Sequence, residues 1–308
     1  MLGILQLDRP KALNALDHGM VEALHAGLDE LVGDPDIAHI AIVSASPRAF
    51  CAGGDMRRIR ELVIGGEIET ALSFFRDEFA LNRAIADCPK PIVALVDGIC
   101  MGGGLGLSIH ARFRVIAPTA TLAMPETAIG YFPDVGATYF LNALPGSTGR
   151  WLGLTGARLT GLEACKIGLG THDAAGETFE AILDALSRSA DTVEVLRREC
   201  RQAAVPAALD ALVDAAFAAP DLGAVEIALS AADAGNARAA AALKALKSHS
   251  PFAIDVADRL IAEGRHRSLH DCLANEYSAL RDVFAHPDFV EGVRSVIVDK
   301  DYSPRWAE

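Results

Sequence analysis

The sequence predicts an α/β fold, with an α/β core over residues 1–190 and a mainly helical region over residues 191–308. Three observations carry that prediction. Short β-branched and aliphatic runs alternate with stretches at helical spacing as far as Met124. Two glycine-rich turns, CAGGD at 51–55 and GICMGGGLG at 98–106, each join a strand to a helix. From about Ala174 the chain becomes alanine-rich and lacks strong strand runs until residues 296–298.

The elements follow in order. Residues 3–7 (GILQL) read as a short strand, ended by the Asp8-Arg9-Pro10 turn. Residues 17–32 place Met20, Leu24, Leu28 and Leu31 at helical spacing, with Asp17 as the cap. Residues 37–45 are a buried strand, followed by the loop SPRAFCAGGD and a helix from about Met56. Residues 67–86 form an amphipathic helix with Phe74, Phe75, Phe79 and Leu81. Residues 91–97 are an apolar run of strand length ended by Gly98, after which the triple-glycine stretch enters a helix. Residues 114–117 and 121–124 are further short strands. The segment PETAIGYFPDVGATYFL, punctuated by Gly and Pro, is a loop that runs into a helix. No internal repeat is evident, and a soft boundary falls near residues 175–195.

Composition narrows the function. At roughly 100–200 residues per domain, 308 residues allow two or three domains, or one domain with an extension. The net charge of −13 disfavours nonspecific nucleic-acid binding, which needs a positive surface. No apolar run is long enough to span a membrane, and the N-terminus lacks the order of a secretion signal. The six cysteines are scattered without a C-x-x-C pair, which reads as free thiols in a reducing, cytoplasmic compartment. His266, His270, Asp271 and Cys272 complete no metal-ligand spacing.

Three sites carry chemistry. In Met101-Gly102-Gly103-Gly104-Leu105-Gly106, successive glycines at a helix start leave backbone N–H donors open to a phosphate or a developing oxyanion. No G-x-G-x-x-G can be laid over it and no Walker lysine follows, so a tight turn with close helix–strand packing is the competing reading. The Cys51–Asp55 turn exposes N–H groups in the same way, and Asp55 can cap the next helix. Cys51 as a nucleophile competes there with an inert buried thiol. The third site is Glu126 with Asp134 in PETAIGYFPDVG. Two carboxylates in a small apolar loop can have raised pKa values or aim an oxygen at a substrate; alternatively both are solvated, or Asp134 caps the following helix. No G-x-S-x-G elbow supports a serine hydrolase, and Ser108 and His110 fall on a helix.

The strings AFCAGGD, G-x-x-M-G-G-G and PETAIG come in that order and at intervals that resemble the enoyl-CoA hydratase/isomerase (crotonase) superfamily. The likeness is closest to its 3-hydroxyisobutyryl-CoA hydrolase branch. It runs through CAGGDMR at 51–57, FFRDEF at 74–79, MGGGLGLSIH at 101–110 and AMPETAIGYFPDVGATYFL at 123–141. LTGARLTG at 154–161 and FVEGVRSVIVDKDYSPRW at 289–306 extend it over essentially the whole chain.

The resemblance implies a spiral of ββα units with a helical C-terminal region, and hydrolysis of a 3-hydroxyacyl-CoA of valine breakdown. It implies that Gly54 and Gly103 hold the thioester oxygen on their N–H groups. Glu126 matches the catalytic glutamate, as nucleophile or as general base. Asp134 matches the aspartate that contacts the 3-hydroxyl and assists catalysis, and Glu78 matches a substrate-contact position. The implied partner is the acyl-CoA substrate, with no nucleic acid and no membrane. No cofactor is implied beyond the CoA of the substrate, and no metal. Arg9, Lys11 and Arg48 are candidate phosphate contacts, but the ordinary solvated cation is the preferred reading of each and they are left out of the site. Crotonase relatives commonly form trimers or hexamers, so a homo-oligomer is among the expectations. Gly106 stands where the superfamily's hydratases carry a second glutamate, which ranks the alternative, an enoyl-CoA hydratase or isomerase, below the hydrolase. Family members usually have another strand before GILQLDRP, so the first strand here is expected to lie at a sheet edge.

Overall fold

Parallel pairing of aliphatic strands organises the first of two compact units, residues 1–54, 77–122 and 158–207. The computed structural model describes every residue except Ala175, Glu177, Asp233, Ala234 and Glu308. Strands β1 (Leu2–Leu7), β2 (His39–Ser44), β4 (Ile92–Val96) and β6 (Phe113–Ile116) lie side by side in parallel. The sheet continues through β9 (His172–Asp173) to an antiparallel β10 (Arg201–Gln202). β2 is buried along nearly its whole length and β4 throughout, which is why they read as unbroken apolar runs. β1 alternates between buried and exposed positions and ends the sheet. One face of the sheet packs Ala41, Val43, Val93, Leu95 and Val115 against Ile182 and Leu186 of α8 (Phe179–Arg188). Val195 and Leu196 of α9 (Thr192–Glu199) join the same cluster.

A second, four-stranded sheet has the order β3 (Ala49–Cys51), β5 (Ile99–Met101), β7 (Thr121–Ala123) and β8 (Leu159–Thr160). The glycine-rich turns leave from its first two strands. Asp17 caps α1 (His18–Gly33) by accepting from Met20 N at 2.9 Å, as the spacing predicts. Asp55 caps α2 (Met56–Ile64) through Arg58 N. α3 (Ile68–Ala86) follows, and α4 (Gly103–Ile109) starts within the triple glycine. α7 (Gly161–Ile167) opens with a Thr160/Glu163 capping box.

The second unit comprises residues 55–76, 123–157 and 208–308. The PETAIGYFPDVG loop forms a 3-10 turn at Glu126–Ile129 and leads into the short α5 (Ala137–Phe140) and then α6 (Thr148–Thr155). Helices α10 (Ala211–Phe217), α11 (Leu222–Ala232), α12 (Ala237–Ser248), α13 (Pro251–Glu263), α14 (Leu269–Ala285) and α15 (Pro287–Val293) complete it. Tyr131 centres an aromatic cluster, 4.7 Å from Phe132, 5.8 Å from Phe75 and 6.0 Å from Phe289 between ring centroids.

Three local expectations change. The expected loop SPRAFCAGGD contains strand β3. Residues 296–298 are not a strand; Arg294–Val298 form a π-helical turn continuing from α15. The β-branched run follows a helix with no breaker between. Arg294 also pairs with Glu291, Asp299 and Asp301, folding the segment back on itself, so tertiary context overrides propensity. β10 was not expected either, because two polar residues give no apolar alternation to read.

Candidate active site

The first unit carries two backbone amides of interest. Leu16 N donates to Gly53 O at 2.8 Å, so the bridge between Leu16 and Gly54 is made through the Gly53 carbonyl rather than through the N–H of Gly54. Gly103 is the first residue of α4, and a helix cannot use the N–H of its first residue. The turns carrying these amides touch. A Cβ placed on Gly53 would lie 3.6 Å from Gly103 N, and one on Gly103 would lie 3.4 Å from Gly54 N. On Gly103 it would also run into Oε1 of Glu78. Glu78, on α3, is thus buried against the glycine whose amide is of interest. The structure therefore brings Gly54, Gly103 and Glu78 together. The amides of Gly54 and Gly103, not the Glu78 carboxylate, are the groups suited to an oxygen that gains negative charge, with the N-terminus of α4 adding positive potential.

Asn82 lies one turn beyond Glu78 on α3, in a stretch with no motif that marks it. It is fully buried, and neither amide atom has a hydrogen-bond partner among the described residues. A buried amide of this kind was invisible to sequence reasoning because Asn in a helix is ordinarily solvated.

Cys51 is not placed to act as a nucleophile. Its thiol is buried, donates to Asn14 O at 3.0 Å, and is pushed far above its ordinary pKa by that burial. Ser108 lies in α4 and donates to the carbonyls of Gly104 and Leu105, as a helix residue does. Asp271 belongs to the Ser268 capping box that opens α14, and Cys272 donates to Gly264 O. Arg9 holds its own loop, through Asp17 at 3.2 Å and the Ala15 carbonyl.

The second unit carries two carboxylates on one loop. Glu126 heads the 3-10 turn and Asp134 precedes α5; their residual exposures are 7% and 4%, so neither is a solvated loop acid. Asp134 does not cap α5, whose N-cap is Gly136. Tyr131 links the two: its N–H donates to Glu126 O at 3.1 Å and its hydroxyl to Asp134 Oδ2 at 2.9 Å. The turn is pinned beside Glu126 as well. Thr127 Oγ1 donates to Leu154 O at 3.1 Å and sits 2.9 Å from His249 Nδ1. With the hydroxyl proton directed at Leu154, His249 donates from Nδ1, and burial keeps the ring neutral by lowering its pKa to about 4. α15 presses on the same turn, since a Cβ on Gly292 would run into the backbone of Ile129. His249 and the tail helix act on Glu126 from more than a hundred residues away, beyond any motif window.

Burial raises the Asp134 carboxyl above its ordinary range, opposed by the Tyr131 hydrogen bond. The folded chain therefore binds this proton more tightly than the unfolded chain. The stabilisation is complete below the ordinary carboxylate range and is lost as pH rises through the raised value. Asp134→Asn cannot ionise, so its melting temperature is expected to rise relative to wild type as pH increases from about 5 to about 9. Thermal melts across that range check this; a constant difference would show that Asp134 titrates normally.

A family model described as enoyl-CoA hydratase/isomerase matches residues 2–308. Among curated proteins, the chain is 38% identical to the mitochondrial 3-hydroxyisobutyryl-CoA hydrolase of Homo sapiens, over 99% of this chain and 81% of the relative. It is 39% identical to the protein of that name from Danio rerio, over 99% and 82%. Among solved structures it resembles a carnitinyl-CoA dehydratase from Mycobacterium thermoresistibile at TM-score 0.90 and 32% identity, covering 99% of this chain and 88% of that one. An enoyl-CoA hydratase from Rhodobacter sphaeroides gives TM-score 0.87 and 36% identity, covering 99% and 89%.

Proposed function

The chain belongs to the enoyl-CoA hydratase/isomerase family, and from that premise we propose that it is an acyl-CoA thioester hydrolase. Its substrate is 3-hydroxyisobutyryl-CoA of valine breakdown, or a similar 3-hydroxyacyl-CoA, and its products are the free hydroxy acid and CoA. The observation that carries the reading is the buried pair Glu126 and Asp134, joined through Tyr131 on a single loop.

Hydrolysis places negative charge on the thioester oxygen. The N–H groups of Gly54 and Gly103 take that charge, and being backbone they need no reorganisation as it develops. Glu126 either attacks the acyl carbon, releasing CoA and leaving a mixed anhydride for water to open, or draws a proton from the attacking water. Asp134 receives the substrate's 3-hydroxyl, and Glu78 contacts substrate beside Gly103. Backbone donors and a carboxylate suffice for this chemistry, so the only cofactor needed is the CoA of the substrate. Hydration of an enoyl-CoA, the activity named for the similar Rhodobacter sphaeroides structure, calls for a second glutamate in this family. At that place α4 carries Gly106, which offers no carboxylate. Six free cysteines suit a reducing compartment, and we place the enzyme in the cytoplasm although the curated relatives are named as mitochondrial.

The test is CoA release, followed as free thiol, from 3-hydroxyisobutyryl-CoA and from isobutyryl-CoA. A site built to bind the hydroxyl should favour the first by at least about 10²-fold in kcat/KM. Equal values would remove Asp134 from its role, and absence of thiol release from either would remove the hydrolase reading.

A further inference from the structure

Glu276 of α14 is completely buried, and no step above uses it. Its Oε2 accepts from Gly136 N at 2.7 Å, and its Oε1 accepts from Thr138 N at 2.9 Å and Thr138 Oγ1 at 2.6 Å. These donors lie immediately after Asp134. Between them and Asp134 the backbone takes an unusual path: Val135 has φ +53° and Gly136 has φ +81°. A β-branched residue in the left-handed region is an outlier that persists only where its surroundings impose it. Asp134 O closes the turn by accepting from Ala137 N at 2.8 Å. A buried acid is a costly way to fill space, and here all three hydrogen bonds go to this one turn.

We propose that Glu276 is a positioning residue for Asp134, clamping the Val135-Gly136 turn so that the Asp134 carboxyl is presented to the 3-hydroxyl of the substrate. The inference rests on the reading of Asp134 given above. Burial raises the pKa of Glu276, and the nearby Asp134 raises it further, so the two carboxyls also share an electrostatic environment.

Glu276→Gln tests this, because an NH₂ group must then face either Gly136 N–H or the Thr138 donors. The kcat and KM of Glu276→Gln, Asp134→Asn and the double variant are measured on 3-hydroxyisobutyryl-CoA and on isobutyryl-CoA, alongside melting temperatures. Glu276→Gln should lower kcat on the hydroxylated substrate about 10- to 100-fold and on isobutyryl-CoA less than about three-fold. It should add almost nothing to Asp134→Asn, as expected of residues that act as a unit. Should Glu276→Gln fail to fold, Thr138→Val removes one donor of the clamp and should show a smaller loss with the same substrate dependence. Equal losses on both substrates, or a loss that adds fully to that of Asp134→Asn, would reduce Glu276 to a structural role and overturn the proposal. If Asp134→Asn is impaired and neither clamp variant is, the positioning alone falls. If Asp134→Asn itself keeps wild-type rates on both substrates, the reading of Asp134 falls and takes the clamp with it.

Discussion

Glu126→Gln is expected to lower kcat for CoA release from 3-hydroxyisobutyryl-CoA about 10³- to 10⁴-fold while leaving KM within about three-fold. The substitution keeps the volume and one carbonyl oxygen, so the 3-10 turn and its support by Thr127 and Tyr131 remain. What is lost is the carboxylate that attacks the acyl carbon or accepts a proton from water. Both routes through Glu126 require the ionised carboxylate, so the expectation is the same for either. Steady-state kinetics on the purified variant check it. A loss confined to KM would mean that Glu126 only holds substrate.

Gly103→Ala is the second large effect, with kcat/KM falling about 10²- to 10³-fold, the range seen when one oxyanion donor is disabled. The backbone at this position has no need of glycine for its dihedral angles, and alanine is the better helix former by about 1 kcal/mol. The obstacle is spatial: the added methyl meets Glu78 Oε1, lies 3.1 Å from Leu16 and crowds the Gly54 amide. Activity should therefore collapse while the melting temperature stays near that of wild type. Full activity in Gly103→Ala would show that the thioester oxygen is bound elsewhere.

The parts of the fold legible in the sequence were those governed by local chemistry. Asp17 and Asp55 announce helix starts because a cap acts over three residues. The apolar runs of β2 and β4 announce buried strands of an α/β core. The two glycine turns mark where amides are laid bare after strands, although that both strands belong to one sheet is seen only in the structure. The unread parts depend on contacts between distant residues. Glu276 reaches a turn some 140 positions earlier, and nothing in LANEYSAL distinguishes it from a solvated helix acid. His249, next to Thr127 in space, sits in an unremarkable KSHSP segment. Residues 296–298 mislead for the same reason, since Arg294 and its three carboxylates outweigh the β-propensity of the run. Of the site itself, the paired acids of the PETAIGYFPDVG loop could be read, but not their burial or their link through Tyr131.

The buried Glu126 and Asp134 fit an enzyme that cleaves a thioester rather than one that adds water to a double bond. One preparation should be given 3-hydroxyisobutyryl-CoA and crotonyl-CoA in parallel, with free CoA thiol and enoyl absorbance followed together. Rapid thiol release from the hydroxylated substrate is expected, with enoyl absorbance nearly constant. Rapid loss of enoyl absorbance without release of CoA, together with a stable 3-hydroxyisobutyryl thioester, would contradict the hydrolase reading.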